Sequence, residues 1–136
     1  MDLDVAREFL RAHHRAVLAT FRGDGRPQLS PVLCACDDKG RVLISTRETA
    51  VKTHNLRRDP RLSLCVINDG FFGGWVQIDG EAEVIPLPDA MELLVEYYRR
   101  ISGEHSDWAE YRSAMEQERR VAVRVTLTRA GPDVSG

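Results

Sequence analysis

The run from Ala16 to Val32, AVLATFRGDGRPQLSPV, holds two β-type segments on either side of Gly23-Asp24-Gly25. Ala16 to Phe21 (AVLATF) reads as a strand, and the glycine-flanked aspartate marks a reversal, because glycine reaches positive φ without steric penalty. The second strand then runs back from Pro27 to Cys36. Asp37-Asp38-Lys39-Gly40 turns the chain again, and Arg41 to Thr46 (RVLIST) is a third strand. The first third therefore reads as a three-stranded antiparallel meander.

Upstream, Leu3, Ala6, Phe9 and Leu10 recur at helical spacing behind Asp2 and Asp4, which suit the cap of a short helix ending near His13. Downstream, Glu48 to Asp59 carries an apolar stripe of Ala50, Val51 and Leu56, and Asp59-Pro60 stops that helix. Leu62 to Asn68 is a fourth strand, and Trp75 to Ile85 a long fifth one with Gly80 as a bulge or bend. Two helices follow, Asp89 to Ile101 and Asp107 to Glu118, and Val121 to Thr128 (VAVRVTLT) alternates as a sixth strand. This order predicts a mainly β α+β fold, a six-stranded antiparallel β-barrel with peripheral helices. It is read as a single domain over 1–136, with a helical segment at 1–15 and a flexible tail at 130–136.

The chain has 136 residues, 43% of them hydrophobic and 29% charged, a balance that suits one core and a soluble surface. A formal net charge of -2 proposes neither a nucleic-acid nor an anionic-membrane partner. No apolar run reaches the roughly 18–20 residues that span a bilayer, and no export signal is read at Met1-Asp2-Leu3-Asp4. Cys34, Cys36 and Cys65 are an odd set without disulfide-framework spacing, which favours a reducing cytosol; all three read as small buried hydrophobes. His13, His14, His54 and His105 lack metal-site spacing, and no glycine-flanked nucleophile is present. Neither a metal ligand nor a catalytic side chain is assigned.

Charge is nonetheless uneven. Arg47, Lys52, Arg57, Arg58 and Arg61 crowd one segment, whereas Leu62 to Tyr98 holds no Lys or Arg. Ser45 and Thr46 at a strand end, followed by a helix start with Lys52 one turn in, make a phosphate site, since unpaired N–H groups and the helix dipole favour an anion. A solvated basic helix face is the competing reading. Gln28 and Ser30 share one face of the second strand, either toward a groove where they meet a heterocycle or in ordinary edge alternation. Trp75 is likewise open between a core residue and an aromatic shelf.

Three segments carry a family resemblance: Ala16 to Val32, Ile44 to Leu64 (ISTRETAVKTHNLRRDPRLSL) and Trp75 to Ala82 (WVQIDGEA). Together they resemble the pyridoxamine-phosphate-oxidase-like superfamily of FMN-binding split β-barrels. Lys52 to Arg61, in the pattern K-T-x-N-L-x-R-D-P-R, and Gly103 to Trp108 (GEHSDW) with Tyr111 are similar to its coenzyme F420 (deazaflavin) reductases. The resemblance implies a homodimer with cofactor grooves at the subunit interface and a small-molecule substrate. It implies that Lys52 holds the cofactor phosphate, with hydrogen bonds from Ser45, Thr46, Thr53 and Asn55. Gln28 and Ser30 would meet the ring and ribityl chain, Trp75 would line the groove, and Arg57 would meet the polyglutamate tail. Ala50 and Val51 stand where many relatives place an arginine, a place Arg47 takes from the strand end; Pro31 also departs from the usual polar residue. The implied activity is hydride transfer from reduced F420 to an electron-poor double bond. The alternatives are an FMN-dependent oxidase or reductase on the same fold, and a non-catalytic carrier of F420, a flavin or haem.

Overall fold

Cys34 divides the run from Pro27 to Cys36 into two strands that lie at opposite edges of one sheet. The computed structural model, which describes residues 1–133, places β1 (Arg15–Phe21) and β2 (Pro27–Leu33) in the hairpin around Gly25, whose φ of 88° needs a glycine. β3 (Ala35–Cys36) pairs instead with β4 (Val42–Arg47). The remaining strands are β5 (Arg61–Ile67), β6 (Trp75–Ile85) and β7 (Arg120–Gly131). Every pairing is antiparallel, in the order β2-β1-β5-β6-β7-β4-β3. β2 and β3 are consecutive in the chain yet outermost in the sheet, so the sheet must curl until its edges meet at Cys34. That residue is fully buried, and its N–H donates to the His14 carbonyl at 2.8 Å.

The sheet therefore has seven strands rather than the expected six, and the expected meander is wrong: β4 pairs with β7 and β3, not with β2. The result is a mainly β α+β fold with a curled antiparallel sheet and four helices. Period-2 alternation places Leu18, Leu64, Ile78 and Val123 on the concave, buried face. α1 (Leu3–Ala12), whose N-cap Asp2 accepts from the Asp4 N–H at 2.7 Å, closes that core with Ala6 and Leu10. α2 (Val51–Arg58) links β4 to β5. α3 (Ala90–Ser102) and α4 (Trp108–Gln117) enclose a second apolar cluster, where the Tyr111 hydroxyl donates to the Leu94 carbonyl at 2.7 Å.

Two further differences concern the ends of elements. Ala130 and Gly131, expected in a tail, pair with Ile78 and Gln77 of β6; positions 134–136 of the expected tail lie outside the described residues. Cys65 is only half-buried on the convex face, unlike Cys34 and Cys36. Burial pushes the Cys34 thiol up to about 12, with the neighbouring Cys36 adding to it, which keeps Cys34 protonated and unreactive. Among the described residues no helix is long and apolar enough to cross a membrane, and no cluster of three potential metal ligands is found.

Gly80 sits where the β6–β7 register shifts, next to Asp79, and a Cβ there would lie 2.6 Å from both the Thr126 carbonyl oxygen and a Val125 methyl. Gly80→Ala is expected to destabilise the fold by about 1–3 kcal/mol, the usual cost of overpacking a tight site. Urea denaturation measures it, and a loss below about 0.5 kcal/mol, the size of an ordinary surface change, would show that the bulge can open.

Candidate functional site

The strand end Ser45-Thr46-Arg47 and the start of α2 are joined by a tight turn, in which the Ala50 N–H donates to the Arg47 carbonyl at 3.1 Å. The N-cap, Ala50, has no side-chain oxygen to offer, so the first-turn N–H groups of α2 carry no side-chain cap. The Thr53 hydroxyl donates to the Arg47 carbonyl at 2.6 Å and ties this first turn back to β4.

Further along α2, a chain of side-chain hydrogen bonds pins the helix across the sheet. Arg58 donates to the Asn55 oxygen at 2.9 Å, Asn55 to the Thr20 hydroxyl at 3.1 Å, and Thr20 to the Gln28 oxygen at 3.3 Å. Thr53 and Asn55 are buried, and their polar atoms are engaged inside the protein rather than toward a groove. In the ligand-free protein, the structure brings both into the scaffold that holds Lys52.

Lys52 points toward β2, where its ammonium lies 3.4 Å from the Ser30 hydroxyl. Ser45, Thr46, Arg47 and Lys52 line a cleft of about 380 Å³ whose opposite wall is the Pro31–Leu33 end of β2. Burial, and then the Arg120 charge, hold the Lys52 ammonium below its ordinary value of 10.5. Arg120, from the first position of β7, also lines this cleft, and sequence reading missed it. The sixth strand was read from Val121, and nothing local says that β7 lies beside β4.

Two candidate residues lie elsewhere. Arg57 makes a two-bond ion pair with Glu48, which holds that carboxylate below its usual range; the longer bond is 3.1 Å. Trp75 is 37% exposed on the convex face, opposite Ile67 of β5, beside Gln77 in a separate cleft of about 340 Å³. It is neither core nor a wall of the Lys52 cleft within one protomer. The same convex face exposes Val17, Leu29 and Leu33, an apolar surface too continuous for an ordinary solvated sheet face.

A cleft that presents cations, hydroxyls and uncapped helix N–H groups together has the donor set of a phosphate site. The sequence model of the family described as pyridoxamine 5'-phosphate oxidase matches residues 3–131. A conserved hypothetical protein of Mycobacterium tuberculosis is similar in structure, with TM-score 0.77 at 26% identity, over 100% of this chain and 92% of that one. A solved F420 reductase aligns with TM-score 0.73 at 21% identity, over 92% of this chain and 94% of that one. General stress protein 26 of Bacillus anthracis aligns with TM-score 0.68 at 10% identity, over 94% of this chain and 90% of that one. The last two likenesses concern the fold alone.

The scaffold role of Asn55 is open to measurement. Asn55→Ala leaves the buried Thr20 hydroxyl without its donor and is expected to lower stability by about 1–3 kcal/mol, the cost of an unsatisfied buried polar group. Thermal unfolding without ligand reports it; an unchanged midpoint would return Asn55 to the list of groups free to bind.

Proposed function

The chain belongs to the pyridoxamine 5'-phosphate oxidase family, and from that premise we propose that it is a reductase using the deazaflavin coenzyme F420. The family includes oxidoreductases, and its fold binds flavin-type cofactors. The observation that carries the reading is the convergence of Lys52, Arg47, Ser45 and Thr46 on one cleft at the uncapped start of α2. That donor set fits the phosphate of such a cofactor. The K-T-x-N-L-x-R-D-P-R segment, with its resemblance to the deazaflavin reductases, favours F420 over FMN.

Bound there, the reduced deazaflavin supplies a hydride for an electron-poor double bond in a small organic substrate. The chain's own residues supply position and charge. Lys52 and Arg47 neutralise the phosphate, Ser45 and Thr46 donate to its oxygens, and Gln28 and Ser30 face the ribityl chain and ring from β2. Ser30 already lies within reach of the Lys52 ammonium, so the phosphate grip and the ring wall are adjacent. The exposed apolar convex face supports a homodimer, in which the partner's Trp75 closes the groove over the ring. Arg57 exchanges Glu48 for the acidic tail. The three free cysteines support a reducing cytosol as the site of action.

Titration of the purified protein with F420 and with FMN tests the cofactor directly, and tighter binding of FMN would overturn the choice. Lys52→Gln is expected to weaken either phosphate-bearing cofactor by about 10–100-fold, the worth of a charged hydrogen bond. Arg57→Glu is expected to weaken F420 in a salt-dependent way while sparing FMN, since only F420 carries the acidic tail. Anaerobic oxidation of reduced F420 across quinones, enones and tetrapyrroles then separates an enzyme from a carrier: tight binding with no turnover on any of them would sink the reductase reading.

The Lys52 shift also sets a pH dependence. Only the protonated ammonium attracts phosphate, and its pKa in the ligand-free protein lies below 10.5. Affinity is therefore expected to fall as pH rises through that lowered value, earlier than for an exposed lysine, with proton uptake on binding in that range. Calorimetric titration in buffers of different ionisation enthalpy measures the uptake; its absence in the alkaline range would contradict the assignment of Lys52.

A further inference from the structure

Arg47 of β4 and Arg120 of β7 are directly opposite one another in the antiparallel ladder. Like charges in that relation repel, and an anion between or beside them relieves the repulsion. Glu118 supplies one. A single oxygen of its carboxylate accepts from Arg120 at 2.8 and 3.1 Å and from Arg47 at 3.4 Å. The two arginines hold the Glu118 carboxyl below its usual range, Arg120 more strongly than Arg47.

The backbone fixes this corner. Arg119 joins α4 to β7 in the left-handed region, with φ 53°, a conformation that costs a non-glycine residue energy and so has to be held. The Glu48 N–H holds it by donating to the Arg119 carbonyl at 2.8 Å, which ties the Glu118-Arg119-Arg120 corner to the turn before α2. Glu48 itself is occupied by Arg57 and leaves the balance in the cleft unchanged. Lys52, Arg47 and Arg120 then stand as three cations against the one carboxylate of Glu118, two positive charges in excess. That excess suits a phosphate group.

We propose that Arg120 and Arg47 form an oxyanion clamp on the Lys52 cleft, held in the ligand-free protein by Glu118, whose place a phosphate group takes on binding. Glu118 is thus an internal competitor: it keeps two repelling guanidinium groups in register and is displaced when a phosphate group arrives. The clamp rests on the reading of the cleft as a phosphate site, and it adds to that reading a binding residue and a carboxylate that sets the affinity.

Inorganic phosphate is the first probe, because it reads the clamp whichever cofactor is used. Dissociation constants come from thermal shifts in phosphate against chloride at matched ionic strength. Arg120→Gln is expected to weaken phosphate binding at least tenfold. Glu118→Gln keeps the side-chain shape, removes the competing charge and is expected to tighten binding about three- to tenfold. A gain cannot come from misfolding, so this second variant holds the test even where Arg120→Gln folds poorly. Weaker or unchanged phosphate binding by Glu118→Gln, or unchanged binding by Arg120→Gln, would overturn the clamp.

Titrations with F420, FMN and riboflavin separate the clamp from the cofactor reading. Loss of FMN but not of phosphate-free riboflavin in Arg120→Gln supports the clamp. If phosphate behaves as expected while neither F420 nor FMN binds, the cofactor reading falls and the clamp stands. If the cofactors bind wild type, Arg120→Gln and Glu118→Gln alike while Lys52→Gln loses them, the clamp falls and the reading stands.

Discussion

A chain cannot leave one edge of a sheet and start the other edge one residue later unless the two edges touch. β2 ends at Leu33 and β3 begins at Ala35, so the whole curvature of the seven-stranded sheet is closed through the backbone of Cys34. Its N–H and carbonyl, taken out of both ladders and out of water, need partners, and His14 supplies them through its own carbonyl and its ring nitrogen at 2.8 and 2.9 Å. A small, fully buried side chain is what this crossing tolerates. With the seam closed, the Pro31–Leu33 end of β2 stands across from the end of β4, and the cleft lies between them.

α2 depends on that closure. It begins where β4 stops and passes beside β1, so its one buried face can be pinned to the end of β4 and to the hairpin together. Beside the buried Leu56, the pins are polar: Thr53 to β4, Asn55 to Thr20, and Arg58 to both Asn55 and the Phe21 carbonyl. Directional bonds fix the helix's rotation as well as its distance, and rotation decides whether Lys52 faces Ser30 or solvent. Stability and function are divided between neighbouring positions of the same turn, with Thr53 and Asn55 inward and Lys52 toward the cleft. The electrostatics of the cleft are the reverse of a settled core. Three cations share it, one ammonium is partly desolvated, and the one carboxylate present is already shared by two guanidinium groups.

Much of this was legible locally. The bounds of β6, the bulge at Gly80 and the reversal at Gly25 follow from alternation and from glycine's freedom at positions where a Cβ or a negative φ fails. The segment from Ser45 to Asn55 stood out because it gathers the residue types of a phosphate site, and the structure lines one cleft with Ser45, Thr46, Arg47 and Lys52. The break at Cys34 was not legible, since a small apolar residue inside an apolar run continues a strand as readily as it ends one. The inward direction of Thr53 and Asn55 was not legible for a related reason: a hydroxyl or amide one or three residues from a lysine shares its segment but not its direction, and helical geometry sends these side chains inward. Trp75 lies apart from the Lys52 cleft of its own protomer because the parity of β6 turns it to the convex face.

The amino-acid sequence by itself determined the strands apart from the break at Cys34, the helices, the turns that need glycine and the family to which the chain belongs, because each depends on neighbours within a few residues. Only the tertiary structure decided that β2 and β3 bound the same sheet from opposite sides, that α2 is held by Thr20, and that Arg120, bonded to Glu118, lines the cleft that Lys52 lines. The physical reason is that strand pairing is non-local. The partner of Arg47 is chosen by the order of strands across a curled sheet, and that order follows from which surfaces bury one another, which no single segment records.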